Sequence, residues 1–405
     1  MTAVSRYATP EYFARERQHL WPRVWQGATH VDRLRGLGDQ VTVDLGLGSL
    51  LLVHDGEGPA AYFNVCPHRG HPLCSAPTGR VKELVCPYHH WTFGLDGRCR
   101  SIPDAQSFSP RLVARTELRR LRLETRFGLI WVNASSDGPP LEDYLGPVGD
   151  WLAGYGLDDW HLDAEVSVPL ACNWKASTDV HNESYHLAAL HPEAMPLVDD
   201  AAAQQETVGW HGRIRVPMGR SSAHLKPQTE PHPALVAFLA EHGVAAHEHS
   251  DTRTAYLEAL RRRADAPAAW AQLSDEQLVD NHMIYVFPNL QLNLHRDHAM
   301  LFRHRPVSHD RCLFDQLNLT RRLPPRPPAP RETRADDPII GPVTGADLRA
   351  AEALQRSYAS GALERLTLSR REQLIARMHA GLDAFVPGES SSMSPPAMGD
   401  DQPQK

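Results

Sequence analysis

The sequence predicts an α+β protein built from two antiparallel β units of unequal size, and three observations predict it. Between Gly38 and Asn133, short apolar runs alternate with turn residues: QVTVDL, SLLLVHDG, AAYFNV, ELVC, WTFGLDGR and RFGLIWVN. Runs of this length bounded by Gly, Asp and Asn are the texture of a small antiparallel domain. A second set, AEVSVPL, RIRVPM, HMIYVF, LQLNLH, AMLFRHRPV and CLFDQLNLT, lies between residues 164 and 320 and reads as a larger antiparallel sheet. Helical patterns precede, interrupt and follow that second set.

Taken in order, residues 5–35 read as helical, with Thr9 as N-cap and Pro10 at the first helical position. Residues 1–37 are therefore expected to form a helical segment packed on the larger domain, and 38–143 the small β domain. ASSDGPP, residues 134–140, is a loop near its end. The larger domain is expected over 144–387. Its first strand leads into ACNWKASTDVHNESYHLAALHPEAM, which is mostly helix-compatible until Pro192. Residues 232–281 look helical, as in TAYLEALRRRA. LPPRPPAPRETRADDP, residues 323–338, is a Pro-rich connection. ADLRAAEALQRSYAS and SRREQLIARMHAGLDAF read as two closing helices. The tail, 388–405, has too little apolar content to fold and is expected to be disordered.

Composition excludes several classes. A formal charge of −7 argues against nucleic acid as a partner. The N-terminus shows no basic-then-apolar leader, and no apolar run approaches the ~18 residues of a membrane span. Six cysteines in 405 residues are too few for a disulfide scaffold. A reducing cytoplasm is the expectation, where cysteine beside histidine binds metal more readily than it forms a bridge.

Two loops carry the first chemistry. CPHRGHPLC, residues 66–74, contains Cys66 and His68. CPYHHW, residues 86–91, contains Cys86 followed by His89 and His90. Seventeen residues separate His68 from Cys86. A structural zinc site would group cysteines and histidines or use four cysteines. Here each loop offers one of each, which suits a cluster with two thiolates on one iron and two imidazoles on the other. On residues alone, a zinc protein remains the competing reading, and colour separates the two.

The second constellation is NWKASTDVHNESYHLAALHPE, residues 173–193. Glu183 and His186 share a helical face at i, i+3. His186 and His191 do not, being about 140° apart on an ideal helix. For both to meet one metal, the helix must break or bulge between them. Two histidines and a carboxylate with open positions is the facial triad of non-haem Fe(II) oxygenases.

Together these motifs resemble the α subunits of Rieske non-haem iron oxygenases (aromatic-ring-hydroxylating dioxygenases), over nearly the whole chain to about Pro387. The resemblance implies a Rieske domain joined to a catalytic domain of helix-grip (START/Bet v 1-like) fold. It implies cluster ligands Cys66, His68, Cys86 and His89, leaving His90, His71 and Cys74 without a ligand role; the family often has glycine where His90 stands. It implies mononuclear iron ligands His186 and His191, with Glu183 bridging His186 to a Rieske histidine of a neighbouring subunit. The third ligand implied is Asp347, in GADLRAAEALQRSYASG, which resembles a D-x4-E-x-x-Q stretch; the competing readings are a helix-terminal acid and the alternatives Asp336 and Asp337. Asp179-Val180 and His181 depart from the family's usual Glu-Asn and aromatic residue, and His181 is expected to be a packing histidine. The cofactors implied are a [2Fe–2S] cluster and Fe(II), with electrons from NAD(P)H through a separate reductase, directly or by way of a ferredoxin. A homotrimer and an accompanying β subunit also belong to the family pattern. The expected activity is O2-dependent hydroxylation of an aromatic or other hydrophobic small molecule. The alternatives are a monooxygenase acting as N- or O-demethylase or quaternary-amine hydroxylase, and an electron-transfer protein with an inactive second site. The pocket is expected between the strands near HMIYVFPNLQLNLH and AMLFRHRPV and the segment 232–281, whose His232, His242, His247 and His249 are read as surface residues.

Overall fold

Thr9 accepts a hydrogen bond from the Tyr12 N–H and Pro10 opens the helix Pro10–His19, as their positions predict. The computed structural model describes residues 2–226, 229–249 and 251–387, so the expected disordered tail, 388–405, lies outside the described residues. The helical expectation for residues 5–35 is corrected. The helix stops at His19, just ahead of Pro22, which cannot continue it. Gln26–His30 is instead a fully buried strand paired with Leu129–Asn133. The N-terminal helix is tied down by an acid: Glu16, wholly buried, accepts from Lys175 Nζ at 2.6 Å and from Trp174 Nε1 at 3.1 Å. Such a buried pair is sustained only when further hydrogen bonds complete it, as the indole does here.

The smaller β region contains a four-stranded antiparallel sheet ordered Pro59–Phe63, Ser49–His54, Asp39–Asp44 and Thr78–Arg80. A three-stranded sheet of Leu84–Val85, Thr92–Phe93 and Cys99–Ser101 lies beside it. The strand Ser49–His54 reads as a continuous apolar run because both its faces are covered. Leu51 and Val53 pack into one core with Tyr62, Trp91 and Phe93, while Leu50 and Leu52 pack into another with Ile130 and Val132.

The larger region is an eight-stranded sheet in the order 204–208, 211–216, 281–286, 290–294, 298–308, 311–320, 161–170 and 331–332. Every pairing is antiparallel except the last, a two-residue edge contributed by the Pro-rich connection. Helix Trp174–Asp179 packs against the strands 298–308 and 311–320, and helix Pro342–Ala359 packs on that helix. Helix Gln373–Phe385 covers the far edge, against 204–208 and 211–216. Three short helices, Pro233–Ala240, Thr252–Arg262 and Asp275–Val279, fill the connection before the third strand.

Candidate metal centres

The two Cys-Pro loops repeat one backbone design. The Cys66 N–H donates to His71 O and the Gly70 N–H to Cys66 O; the Cys86 N–H donates to Trp91 O and the His90 N–H to Cys86 O. Gly70 and His90 are thus equivalent, and both sit in the left-handed region, at φ 81° and 58°. That is the physical reason a glycine suits this position, and why His90 serves the loop through its backbone, at some strain. Asn64 fastens the end of the first loop: its Oδ1 accepts from the Leu73 and Cys74 N–H groups, and its Nδ2 donates to Cys74 O.

Cys66 and Cys86 are buried with their thiols in hydrogen-bonding contact. The rings of His68 and His89 meet edge to face, half-buried, with centroids 4.5 Å apart. His68 also stacks flat on Trp91 at 4.8 Å. Burial, and then the Cys86 thiol, push the Cys66 thiol up to about 11 against the pull of backbone N–H donors. Burial, then His68 and Arg69, hold His89 below its ordinary pKa and so favour a neutral imidazole. Paired thiols with paired imidazoles fit a [2Fe–2S] group with two sulfur and two nitrogen donors.

At the second centre, the single long helix that the sequence allows over 173–191 is replaced by two. Trp174–Asp179 ends, residues 180–186 turn, and a four-residue helix Leu187–Leu190 follows. His186 caps one end of that short helix and His191, at φ −127° and ψ 54°, the other. The break brings their rings to 5.3 Å. His191 Nε2 lies 2.7 Å from Asp347 Oδ1, and His186 Nε2 3.5 Å from the same oxygen. The donor atoms of His186, His191 and Asp347 all fall within 4.8 Å of one another. Two imidazole nitrogens and one carboxylate oxygen converging this way fit a divalent iron with open positions.

Glu183 organises the approach. Its Oε1 accepts from His186 Nδ1 at 2.6 Å, and its Oε2 accepts from the backbone N–H groups of Tyr185 and His186. Burial alone would lower the His186 pKa; the Glu183 carboxylate more than offsets it and leaves the pKa raised. His181 is buried, as a packing histidine would be: it stacks on Phe314, and its Nδ1 is 2.9 Å from Ser177 O. Its Nε2, without a hydrogen-bond partner, lies 3.9 Å from Asp347 Oδ2.

Asp347 stands in the second turn of a helix that starts at Pro342, not in the first, so the helix dipole does not account for it. The helix begins a turn earlier than the ADLRAAEALQRSYAS pattern. Gly341-Pro342 is the signal for the extra turn, and Gly345 allows it, since a Cβ there would meet Ala335 O at 2.2 Å. The rest of the D-x4-E-x-x-Q pattern is a clamp: Glu352 accepts from the Ala171 N–H and Gln355 from the Asn173 N–H, both at 2.9 Å. Asp337 is committed to Thr333, Arg331 and the Ile339 N–H. Asp336 faces Arg334. The segment before the third sheet strand borders a cavity of about 680 Å³ whose lining, including Lys226, Glu230 and His247, contains none of the three convergent residues. His247 is exposed and paired with Glu230, while His232 caps a helix.

The fold and the two donor sets define a protein of the cluster-plus-mononuclear-metal class. A family profile described as the ring hydroxylating alpha subunit (catalytic domain) matches residues 157–388, and one described as the Rieske [2Fe-2S] domain matches residues 24–118. The chain belongs to the ring-hydroxylating α-subunit family, and is the oxygenase component of a Rieske-type, non-haem iron system supplied with electrons by a reductase. The glycine betaine monooxygenase oxygenase subunit of Chromohalobacter salexigens is 27% identical over 316 residues, covering 76% of this chain and 68% of that protein. The large oxygenase component of the naphthalene 1,2-dioxygenase system of Pseudomonas putida is 29% identical over 195 residues, 46% of this chain and 43% of that protein. A solved quaternary ammonium Rieske monooxygenase, studied for carnitine oxidation, superposes with a TM-score of 0.71 at 19% identity, covering 95% of each chain. Among the described residues, no helix is long and apolar enough to cross a membrane.

Proposed function

We propose that this oxygenase binds its cluster through Cys66, His68, Cys86 and His89 and its catalytic iron through His186, His191 and Asp347. The observation that carries the second set is the convergence of both Nε2 atoms on Asp347 Oδ1. A cluster held by Cys66, His68, Cys86 and His89 would supply electrons, and an iron held by His186, His191 and Asp347 would supply the O2-activating chemistry. The chain's own contribution is positional. Glu183 holds the Nδ1 proton of His186, which fixes the tautomer and turns the Nε2 lone pair toward Asp347. Burial of His191 and Asp347 keeps bulk water from the donors.

The substrate favoured is a quaternary ammonium compound, oxidised by monooxygenation. The support is the length of the match to the glycine betaine enzyme, over 316 residues. This reverses the emphasis of the sequence-based expectation, which placed a hydrophobic aromatic first. Electron transfer between subunits of a homotrimer, with or without a β subunit, is also proposed. Apolar side chains stand exposed beside both centres: Val65, Val85 and Tyr88 near the cluster loops, Tyr185 and Leu190 near the iron triad. Residues 66–126 carry eleven Arg and Lys against five Asp and Glu in a chain of net charge −7, so the rest of the chain is net acidic, a charge asymmetry that supports docking of one copy's cluster region on another copy. A reducing cytoplasm is proposed as its setting because six cysteines in 405 residues are too few for a disulfide scaffold. The proposed division is 1–37, 38–143 and 144–387, with the strand Gln26–His30 of the first segment completing the sheet of the second.

Iron and acid-labile sulfide, measured on anaerobically purified protein beside Asp347→Ala, test the ligand assignment. About three iron and two sulfide per chain, falling to about two iron in the variant, is the expected result. Two iron in both, with no uptake of added Fe(II), would return the electron-carrier reading. Oxygen uptake with glycine betaine and carnitine against naphthalene then decides the substrate class.

A further inference from the structure

The iron triad depends on a helix that stops at the right residue, and the device that stops it comes from the sheet. The last carbonyls of a helix lack intrahelical partners and need others when buried. At the end of Trp174–Asp179, Ser177 O accepts from His181 Nδ1, and Thr178 O, which already accepts from the His181 backbone N–H at 3.2 Å, accepts a further bond from Gln291 Nε2 at 3.0 Å. The other Gln291 amide hydrogen goes to Asn182 Oδ1 at 2.9 Å, beside Glu183. With both amide hydrogens spent, Gln291 Oε1 must accept, and it does so from His304 Nε2 at 2.6 Å. His304 Nδ1 is then the acceptor for the Ser177 hydroxyl at 2.7 Å. Every member is buried, and each side-chain donor of this run except Asn182 Nδ2 meets an acceptor. Gln291 and His304 stand on adjacent central strands, on the face that carries Phe302 and Phe314 against His181.

We propose that Gln291 and His304 are positioning residues for the iron centre: they cap the broken helix over 177–182 and so aim Glu183 and His186. Neither touches the three donors. They act through the backbone that carries the histidine pair. The inference rests on reading His186, His191 and Asp347 as Fe(II) ligands.

The test uses full-length protein with its cluster retained and the mononuclear iron removed by a mild chelator, titrated with Fe(II). Gln291→Leu keeps volume and removes three hydrogen bonds; Ser177→Ala removes the hydroxyl link to His304. Leu239→Ala, in a buried position of helix Pro233–Ala240, serves as a control for destabilisation without network loss. Gln291→Leu is expected to raise the Fe(II) Kd about tenfold or more, the loss typical of an outer-shell partner, and to shift the ligand-field circular dichroism of bound Fe(II). The cluster absorbance stays as in wild type, and Leu239→Ala changes neither iron readout. Ser177→Ala gives a smaller shift in the same direction. Kd and spectrum unchanged in Gln291→Leu, or changed only as much as in Leu239→Ala, overturn the proposal. Should Gln291→Leu not fold, an unchanged Kd in Ser177→Ala overturns it. Wild type that takes up no Fe(II) beyond the cluster overturns the ligand reading instead, and the two failures are thereby distinct.

Discussion

Replacing Glu183 by Gln isolates what the carboxylate does for His186. Glu183 uses both oxygens: Oε1 for His186 Nδ1–H, Oε2 for the N–H groups of Tyr185 and His186. An amide has one acceptor oxygen. If that oxygen keeps the backbone pair, the NH2 group confronts Nδ1–H, donor against donor. If it keeps Nδ1–H, the two backbone donors are abandoned. At least one hydrogen bond to a charged group is lost, about 1.5–3 kcal/mol when buried. Glu183 and His186 side chains are 10% and 20% exposed, which favours the lower half of that range, or about 10- to 50-fold. The assay is a single turnover with the cluster pre-reduced, following bleaching and recovery of its visible band, with iron and sulfide measured on the same preparation. Equal iron content with a 10- to 50-fold slower transfer is the expected outcome. A rate within about twofold of wild type at equal iron refutes the reasoning. Loss of iron would show that Glu183 acts on metal retention and would remove it from the electron path.

Three further outcomes follow from the same structure. His90→Gly relieves a left-handed residue at φ 58°; after allowance for the more flexible unfolded chain, holoprotein stability rises by about 0.5–1 kcal/mol, read from denaturant melts of the cluster band. Lys175→Met strands the buried Glu16 carboxylate without its cation and costs about 3–5 kcal/mol; the double variant with Glu16→Leu recovers most of that loss in the same melt. Stability also falls on acidification. Burial, ahead of every other influence, lowers His30, His211 and His282 from 6.5 to about 4, so each binds a proton more readily in the unfolded chain. Their stabilising contribution is complete above pH 6.5 and is lost as pH falls through 4, about 3 kcal/mol for each. His211 makes the cause visible, since its Nδ1 accepts from the Phe287 N–H and its Nε2 donates to Tyr144 O, an arrangement that only the neutral ring supports. His211→Gln should flatten part of the pH 4–6.5 slope, and an unchanged slope would rule His211 out as its source.

What the sequence made legible was local. Alternation and turn residues located the strands, because the period-two pattern is imposed by one buried face. The Cys-x-His and Cys-x-x-His spacings nominated a donor set, because each loop closes on itself through backbone hydrogen bonds five residues apart. What stayed hidden was set by partners far along the chain. Gln26–His30 is a strand because Leu129–Asn133 lies beside it, more than a hundred residues later. His186 and His191 stand about 140° apart on the helix that propensity favours, and spacing could say only that something must interrupt it. The interruption is specified by Gln291 and His304, which look in sequence like unremarkable polar residues on a strand. Their side chains add bonds to the carbonyl and hydroxyl at the end of the helix, and Glu352 and Gln355 lock Asp347's helix to the residues just before it. The donor set is thus written locally, while its geometry is written in hydrogen bonds across the fold. A variant at Gln291 or Gln355 can therefore impair the iron centre with every proposed ligand intact.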